Sequence, residues 1–109
     1  MKRTKDLEFD GVKFVLNELT QGDIISISKD SKETNAKGQP FTDENKFNML
    51  FVKASIKSWN FKDDKGESLP VNVDSVQKLP VHIFKELLDE SGRLNMTDKE
   101  KDFLASRML

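Results

Sequence analysis

The stretch Leu7–Leu19, LEFDGVKFVLNEL, decides how the N-terminal part of the chain folds. Its Asp10-Gly11 dipeptide is a two-residue turn sequence of the kind that adopts positive φ, and apolar residues alternate on both sides of it. With this turn the cross-strand pairs are Phe9 with Val12, Leu7 with Phe14, and Lys5 with Leu16, and their apolar members share one face. The stretch therefore predicts a β-hairpin over about 5–17. Because an isolated hairpin is marginal in water, its apolar face must rest on other elements.

Length and composition set the class of protein. The chain of 109 residues has the size of one domain, and we expect a single domain over 1–109 with a core of its own. It contains no cysteine, which excludes disulfides, thiol catalysis and thiolate metal sites. The formal charge is −1, which gives no long-range attraction to nucleic acid. With no apolar run of about 20 residues and no secretory leader, we expect a cytoplasmic protein that does not bind membranes.

The segment after the hairpin is ambiguous at first and then strongly polar. Thr20 with Asp23 three positions later predicts the start of a short helix over about 21–28. The isoleucines of this segment alternate with serines closely enough to leave a third strand open. Residues 29–41 are dominated by polar and turn-forming residues and predict a mobile loop.

Helical patterns fill most of the remaining chain. The predicted helices cover Thr42 to Ser58 or Trp59, one turn over 72–78, a helix over 80–91 that stops before Gly92, and a last helix that a capping box at Thr97–Glu100 opens. Pro80 suits the first position of its helix, where the missing N–H costs nothing. The predicted fold is therefore α+β but predominantly α-helical, with the hairpin packed on a small bundle of about four helices.

The central predicted helix is apolar on two sides. One side carries Phe47, Leu50, Phe51 and Ala54, and the nearly opposite side carries Met49, Val52, Ile56 and Trp59. The core satisfies one side, so the other needs a second layer of the same chain or another molecule. The candidate partner-binding residues are therefore Met49, Val52, Ile56 and Trp59, together with the apolar residues of the last helix, Phe103, Leu104 and Met108.

Lysines lie between the two apolar sides of this helix. Lys46, Lys53 and Lys57 form a row on the helical wheel, and the last two are one turn apart. Such a row is typical of a solvated face. The alternative is a contact site for an acidic segment of a partner.

Candidates for chemistry are few. The run Asp63–Glu67 superficially resembles a calcium loop, but it contains a lysine and lacks the bidentate glutamate at its twelfth position, so it predicts a solvated turn at Gly66. His82 has no cysteine and no second histidine with which to bind zinc. The sequence also lacks the nucleophile-elbow, P-loop and dinucleotide-binding motifs. We therefore expect a protein that is not an enzyme and binds no cofactor or metal.

Several segments together carry a family resemblance. They are LNELT followed by an aspartate (Leu16–Asp23), ASIKSWNF (Ala54–Phe61), DDKGESLPV (Asp63–Val71) and VDSVQKLPVHIFKELLDE (Val73–Glu90). In this order the chain resembles the tail assembly chaperones of long-tailed bacteriophages and of prophages in Gram-positive bacteria. The resemblance does not include residues 29–41 or the last predicted helix.

The resemblance implies a non-catalytic function. Proteins of that family bind the long helical tape-measure protein, keep it soluble, and help tail-tube subunits assemble around it in the host bacterial cytoplasm. The implied partners are the tape-measure protein and the major tail protein, and a homo-oligomer is left open. Two other classes remain as alternatives: a structural virion component, such as a head–tail joining or tail protein, and a small phage regulator that binds a host protein.

Overall fold

The computed structural model describes residues 3–95 of the chain. In chain order its elements are β1 (Thr4–Phe9), β2 (Val12–Asn17), α1 (Gln21–Asp30), β3 (Lys32–Thr34), β4 (Pro40–Thr42), α2 (Glu44–Ser55), β5 (Ile56–Trp59), α3 (Val73–Val76) and α4 (Val81–Leu94). Helices hold 43% of this part and strands 26%. The prediction of a predominantly helical fold is therefore wrong, because the described part is a mixed α+β domain with an N-terminal antiparallel sheet.

The N-terminal hairpin has the predicted register. Phe9 pairs with Val12 and Leu7 pairs with Phe14. The turn residues have positive φ, 51° at Asp10 and 82° at Gly11. The pairing buries Phe14 against the interior and turns Asp6, Glu8 and Lys13 to the opposite face.

A third strand completes the sheet, which has the order β1-β2-β5. The central helix ends at Ser55, and Ile56–Trp59 pairs antiparallel with β2 as β5, with a bulge between Val15 and Leu16. The predicted helix to Ser58 or Trp59 is wrong because the second edge of β2 offers backbone partners that a helix would leave unpaired.

The region 20–43 contains more regular structure than the sequence predicts. A capping box between Thr20 and Asp23 starts α1, which resolves the ambiguity in favour of a helix. Much of the predicted loop 29–41 forms a two-stranded antiparallel ribbon, β3–β4, whose residues are all exposed. Asp43, and not Thr42, caps α2 by accepting a hydrogen bond from the Lys46 N–H at 3.2 Å.

One core joins the sheet to the helices. Its buried members are Phe14, Leu16, Val52, Ile56, Val76, Leu79, Ile83, Leu87 and Leu94. Helix α4 supplies three of these side chains and runs past Gly92, where the sequence predicted its end. Its C-terminal end contacts the segment between β2 and α1 through Asn95, whose Oδ1 accepts a hydrogen bond from the Leu19 N–H at 2.6 Å. The predicted last helix lies outside the described residues.

Candidate docking surface

The predicted partner-binding face of α2 lies in the core. Val52 is fully buried and Ile56 is 6% exposed, while Met49 and Trp59 are partly buried and pack against the same cluster. The prediction that this face is free for a partner is therefore wrong in the described structure. Burial of a side chain such as Val52 stabilises the fold by about 1.5–3 kcal/mol, so exposing this face to a partner would cost folding energy.

Trp59 has a structural role. Its ring makes edge contacts with Phe14 and Phe61, at centroid distances of 6.1 and 5.4 Å. Its indole Nε1 donates a hydrogen bond to the Leu69 carbonyl oxygen at 2.8 Å. The tryptophan thus closes one end of the core and fixes the chain that returns from the turn at 63–67.

The other side of α2 is partly covered by α1. The Asp43 N–H donates to the Ser31 carbonyl at 2.9 Å, so the C-terminal end of α1 meets the N-terminal end of α2. Asn17, just before α1, donates through Nδ2 to the Ser55 carbonyl at 3.0 Å. The two helices are therefore antiparallel neighbours. The second layer that the two-sided pattern of α2 required comes from the same chain.

A groove of about 190 Å³ remains between these two helices. The buried Ile27 and the half-buried Leu50 and Ala54 give it an apolar base. Asp30 of α1 and Lys53 of α2, both exposed, line it as well. We call this feature the α1–α2 groove. It is a depression with an apolar base and polar sides, which also include Asp23 and Ser26 of α1.

An exposed aromatic side chain lies on the β3–β4 ribbon. Phe41 is 45% exposed and pairs across the β3–β4 ribbon with Glu33, so both side chains project from the same face of the ribbon. The Glu33 carboxylate binds the Lys46 ammonium at 3.0 Å. Lys46 lies one turn before Leu50 on α2, so this ion pair joins the ribbon to the turn of α2 that precedes the groove, whose own lining does not include Phe41.

A second apolar feature on α2 is a pair of stacked aromatic rings. Phe47 and Phe51 lie one turn apart, with ring centroids 6.2 Å apart and planes at 17°, and both are half-buried. Their mutual contact covers part of each ring. They are less available to a partner than Phe41.

The three lysines predicted as a row do not share one helix face. Lys46 and Lys53 lie on α2, whereas Lys57 lies on β5. The hydrogen bond that Lys46 donates to Glu33, and the negative charge of that carboxylate, raise the pKa of Lys46. Lys46 is thus already paired with an acid of the same chain, and Lys53 is the exposed lysine that borders the groove.

The charged run after Trp59 is a closed turn. The Asp63 N–H donates to the Glu67 carbonyl at 2.9 Å, and Gly66 has a φ of 82°. The Asp63 Oδ1 accepts hydrogen bonds from the backbone N–H groups of Lys65 and Glu67, which orient the carboxylate. This geometry agrees with the predicted solvated turn.

His82 makes one polar contact across the molecule. Its Nε2 lies 2.8 Å from Oδ2 of Asp10 in the hairpin turn, and both side chains are about two-thirds exposed. Residues 3–95 contain no group of three or more histidine and acidic side chains able to hold a metal ion. None of the helices in that range is long and apolar enough to cross a membrane.

The second predicted group of partner-binding residues, Phe103, Leu104 and Met108, lies outside the described residues. The sequence pattern missed Phe41, which stood in the predicted loop. A signal was present there, because an aromatic residue next to Pro40 is unusual for a solvated loop and is more typical of a strand.

Comparisons with known proteins supply no relative. No protein-family model, no curated protein and no solved structure matches the chain.

Proposed function

We propose that this chain is a tail assembly chaperone of a long-tailed bacteriophage or prophage. In this function it binds a helical segment of the tape-measure protein in the host cytoplasm, without making or breaking a covalent bond. The family resemblance in the segments from Leu16 to Glu90 suggests the partner. The α1–α2 groove, together with Phe41 on the ribbon, is the observation that carries the proposal, because a depression with an apolar base between two helices suits the apolar stripe of a third.

The site residues differ from those first predicted. In place of Met49, Val52, Ile56 and Trp59, the contact residues are Leu50 and Ala54 in the groove and Phe41 on the β3–β4 ribbon. A tape-measure protein is a very long chain, and its apolar stripes aggregate when they face water. Covering one stripe removes apolar area from water. A shallow groove covers only one side of a helix, so the complex dissociates when tube subunits compete for the same stripe.

The experiment is co-expression of this chain with the tape-measure protein of the same phage, followed by pull-down from the soluble fraction. Phe41→Asp is expected to weaken the complex by about tenfold, the loss typical of an aromatic contact at an interface. Val81→Asp is the matched control, because Val81 is 69% exposed on α4. A Phe41→Asp variant that captures as much tape-measure protein as the Val81→Asp variant would exclude Phe41 as a contact residue.

A structural virion component is the second candidate, and one observation favours it. Such proteins are commonly richer in strands than chaperones, and the described part holds a three-stranded sheet and a separate ribbon. Mass spectrometry of purified virions separates the two functions. A chaperone leaves the finished tail and gives no peptides, whereas a joining or tail protein gives peptides at a fixed copy number.

A further inference from the structure

The two sides of the α1–α2 groove carry opposite charge. Asp30 lies on the α1 side and Lys53 on the α2 side. Within residues 3–95 neither side chain takes part in a salt bridge. Asp23, the other acid on the α1 side, has its carboxylate turned back to the Thr20 N–H at 2.8 Å. The α1 side of the groove therefore carries two acids, Asp23 and Asp30, and the α2 side carries Lys53.

The negative charge of Asp30 on α1 acts on Lys46 of α2. The pKa of Lys46 is raised chiefly by its hydrogen bond and charge contact with Glu33, and to a smaller extent by the charges of Asp43 and Asp30. The hydrogen bond from the Asp43 N–H to the Ser31 carbonyl places the end of α1 that carries Asp30 beside the first turn of α2 that carries Lys46. The acid side and the lysine side thus face one another over the apolar base of the groove.

We propose that the groove binds an amphipathic helix whose apolar stripe has basic side chains along one edge and acidic side chains along the other. The basic edge lies against Asp30 of α1 and the acidic edge against Lys53 of α2. The identity of this helix as a tape-measure segment rests on the proposed function, but the charge pattern rests on the groove alone.

The arrangement selects against helices of uniform charge. A helix with acidic edges on both sides meets Lys53 favourably but is repelled by Asp30, and a helix with basic edges has the reverse difficulty. A helix with one edge of each kind satisfies both sides in one direction along the groove. Turning it end for end exchanges its edges, so the charges also set the direction in which the helix lies.

Three synthetic peptides with the same apolar stripe test the proposal. One has an acidic and a basic edge, the second has two acidic edges, and the third has two basic edges. Fluorescence anisotropy of the labelled peptides, titrated with the full-length protein at low salt, gives their affinities. The mixed-edge peptide is expected to bind about two- to fivefold tighter than either uniform peptide, the range for one exposed charge pair.

Two charge reversals in the protein should change which of the three peptides binds most tightly. Asp30→Lys offsets the charge of Asp23 on the α1 side, which makes the groove net basic through Lys53, and should favour the peptide with two acidic edges. Lys53→Glu makes both sides acidic and should favour the peptide with two basic edges. Glu86→Lys and Lys85→Glu are matched controls, because both residues are exposed on α4. These controls should leave the wild-type order unchanged, and circular dichroism verifies that each variant is folded.

The outcomes are distinct. Equal binding of the three peptides, no binding of any peptide, or an order that Asp30→Lys and Lys53→Glu leave unchanged would overturn the proposed charge pattern. If the tape-measure protein is captured in the pull-down while the peptides fail, the chaperone function stands and this inference falls. If the peptides behave as expected and the tape-measure protein is not captured, the groove binds a helix of another protein.

Discussion

Asn35 and Asp63 hold the same position in two turns of the same geometry. Each side chain accepts, through Oδ1, hydrogen bonds from the backbone N–H groups two and four positions later, and all four distances are 2.9 Å. The glycine three positions later has a φ of 78° in one turn and 82° in the other. In both turns that glycine donates to the carbonyl of the first residue at 3.0 Å.

The two turns share a short sequence pattern. They read NAKGQ over 35–39 and DDKGE over 63–67. In both, an Asx residue is followed two and three positions later by Lys and Gly. The Asx side chain satisfies backbone donors that would otherwise face only water, and the glycine accepts the left-handed conformation. One turn closes the β3–β4 ribbon, and the other returns the chain to Trp59. The charged run at 63–67 is therefore a structural turn, and the chain contains a second turn of the same geometry at 35–39.

The turn at 63–67 should depend on the side-chain oxygen and not on its charge. Asp63→Ala removes an acceptor of two backbone hydrogen bonds and is expected to lower the free energy of unfolding by about 0.5–1.5 kcal/mol. Asp63→Asn should retain most of the stability, because Asn35 performs the same function in the other turn. Urea denaturation followed by the fluorescence of Trp59 measures both. Equal losses for the two substitutions would contradict this account.

Val52 and Lys53 test which face of α2 is buried. Val52→Asp places a carboxylate in a fully buried site and should prevent folding or lower the free energy of unfolding by several kcal/mol. Lys53→Asp changes an exposed neighbour and is expected to stay within about 0.5–1 kcal/mol of the wild type. Circular dichroism and thermal melting of the two variants provide the comparison. A Val52→Asp protein that melts like the wild type would show that this face is open.

Ser91 is a fully buried residue of α4 whose hydroxyl has no hydrogen-bond partner within residues 3–95. Ser91→Ala removes this unpaired group and should raise the free energy of unfolding by up to about 1 kcal/mol. Ser55→Ala is the matched control, because the equally buried Ser55 Oγ donates to the Phe51 carbonyl at 2.8 Å. That control should be neutral or slightly destabilising. Chemical denaturation of both variants measures their free energies of unfolding. A larger decrease for Ser91→Ala than for Ser55→Ala would contradict this prediction.

Glu90 links α4 to the first strand and makes stability depend on pH. Its carboxylate binds the ammonium of Lys5 and lies 3.0 Å from Arg93 Nη1. The hydrogen bond from Lys5 lowers the pKa of Glu90 below its ordinary value of 4.5. A lowered acid pKa gives stability that is present above the unfolded-state pKa and is lost as the pH falls through the folded-state pKa.

Lys5→Met is expected to lower the free energy of unfolding at pH 7 by less than about 1 kcal/mol, the range for a partly exposed pair. The difference from the wild type should shrink as the pH falls from 4.5 through the lowered folded-state pKa of Glu90, because below that pKa Glu90 is protonated in both proteins and no longer gains from Lys5. Urea denaturation at several pH values measures this, and Lys85→Met serves as the control. A difference that stays constant down to pH 2.5 would mean that Lys5 acts through packing.

Local chemistry was sufficient to predict several elements. The Asp10-Gly11 turn and the alternation around it determined the register of the hairpin, because a two-residue turn allows only one pairing of its flanks. Thr20 and Asp23 marked the start of α1 through a capping box, whose hydrogen bonds lie within a single turn. Each of these features depends on residues close together in the chain.

Only the tertiary structure decided that Ile56–Trp59 forms a strand and which elements cover the two sides of α2. The sequence of this segment continues the helical pattern, but the open edge of β2 converts it to a strand, and β2 lies about 40 residues earlier in the chain. Periodicity showed that α2 needs two neighbours, but it could not show which neighbour covers which side. That choice depends on where α1 and α4 pack, because burial is a property of the assembled chain and not of a segment.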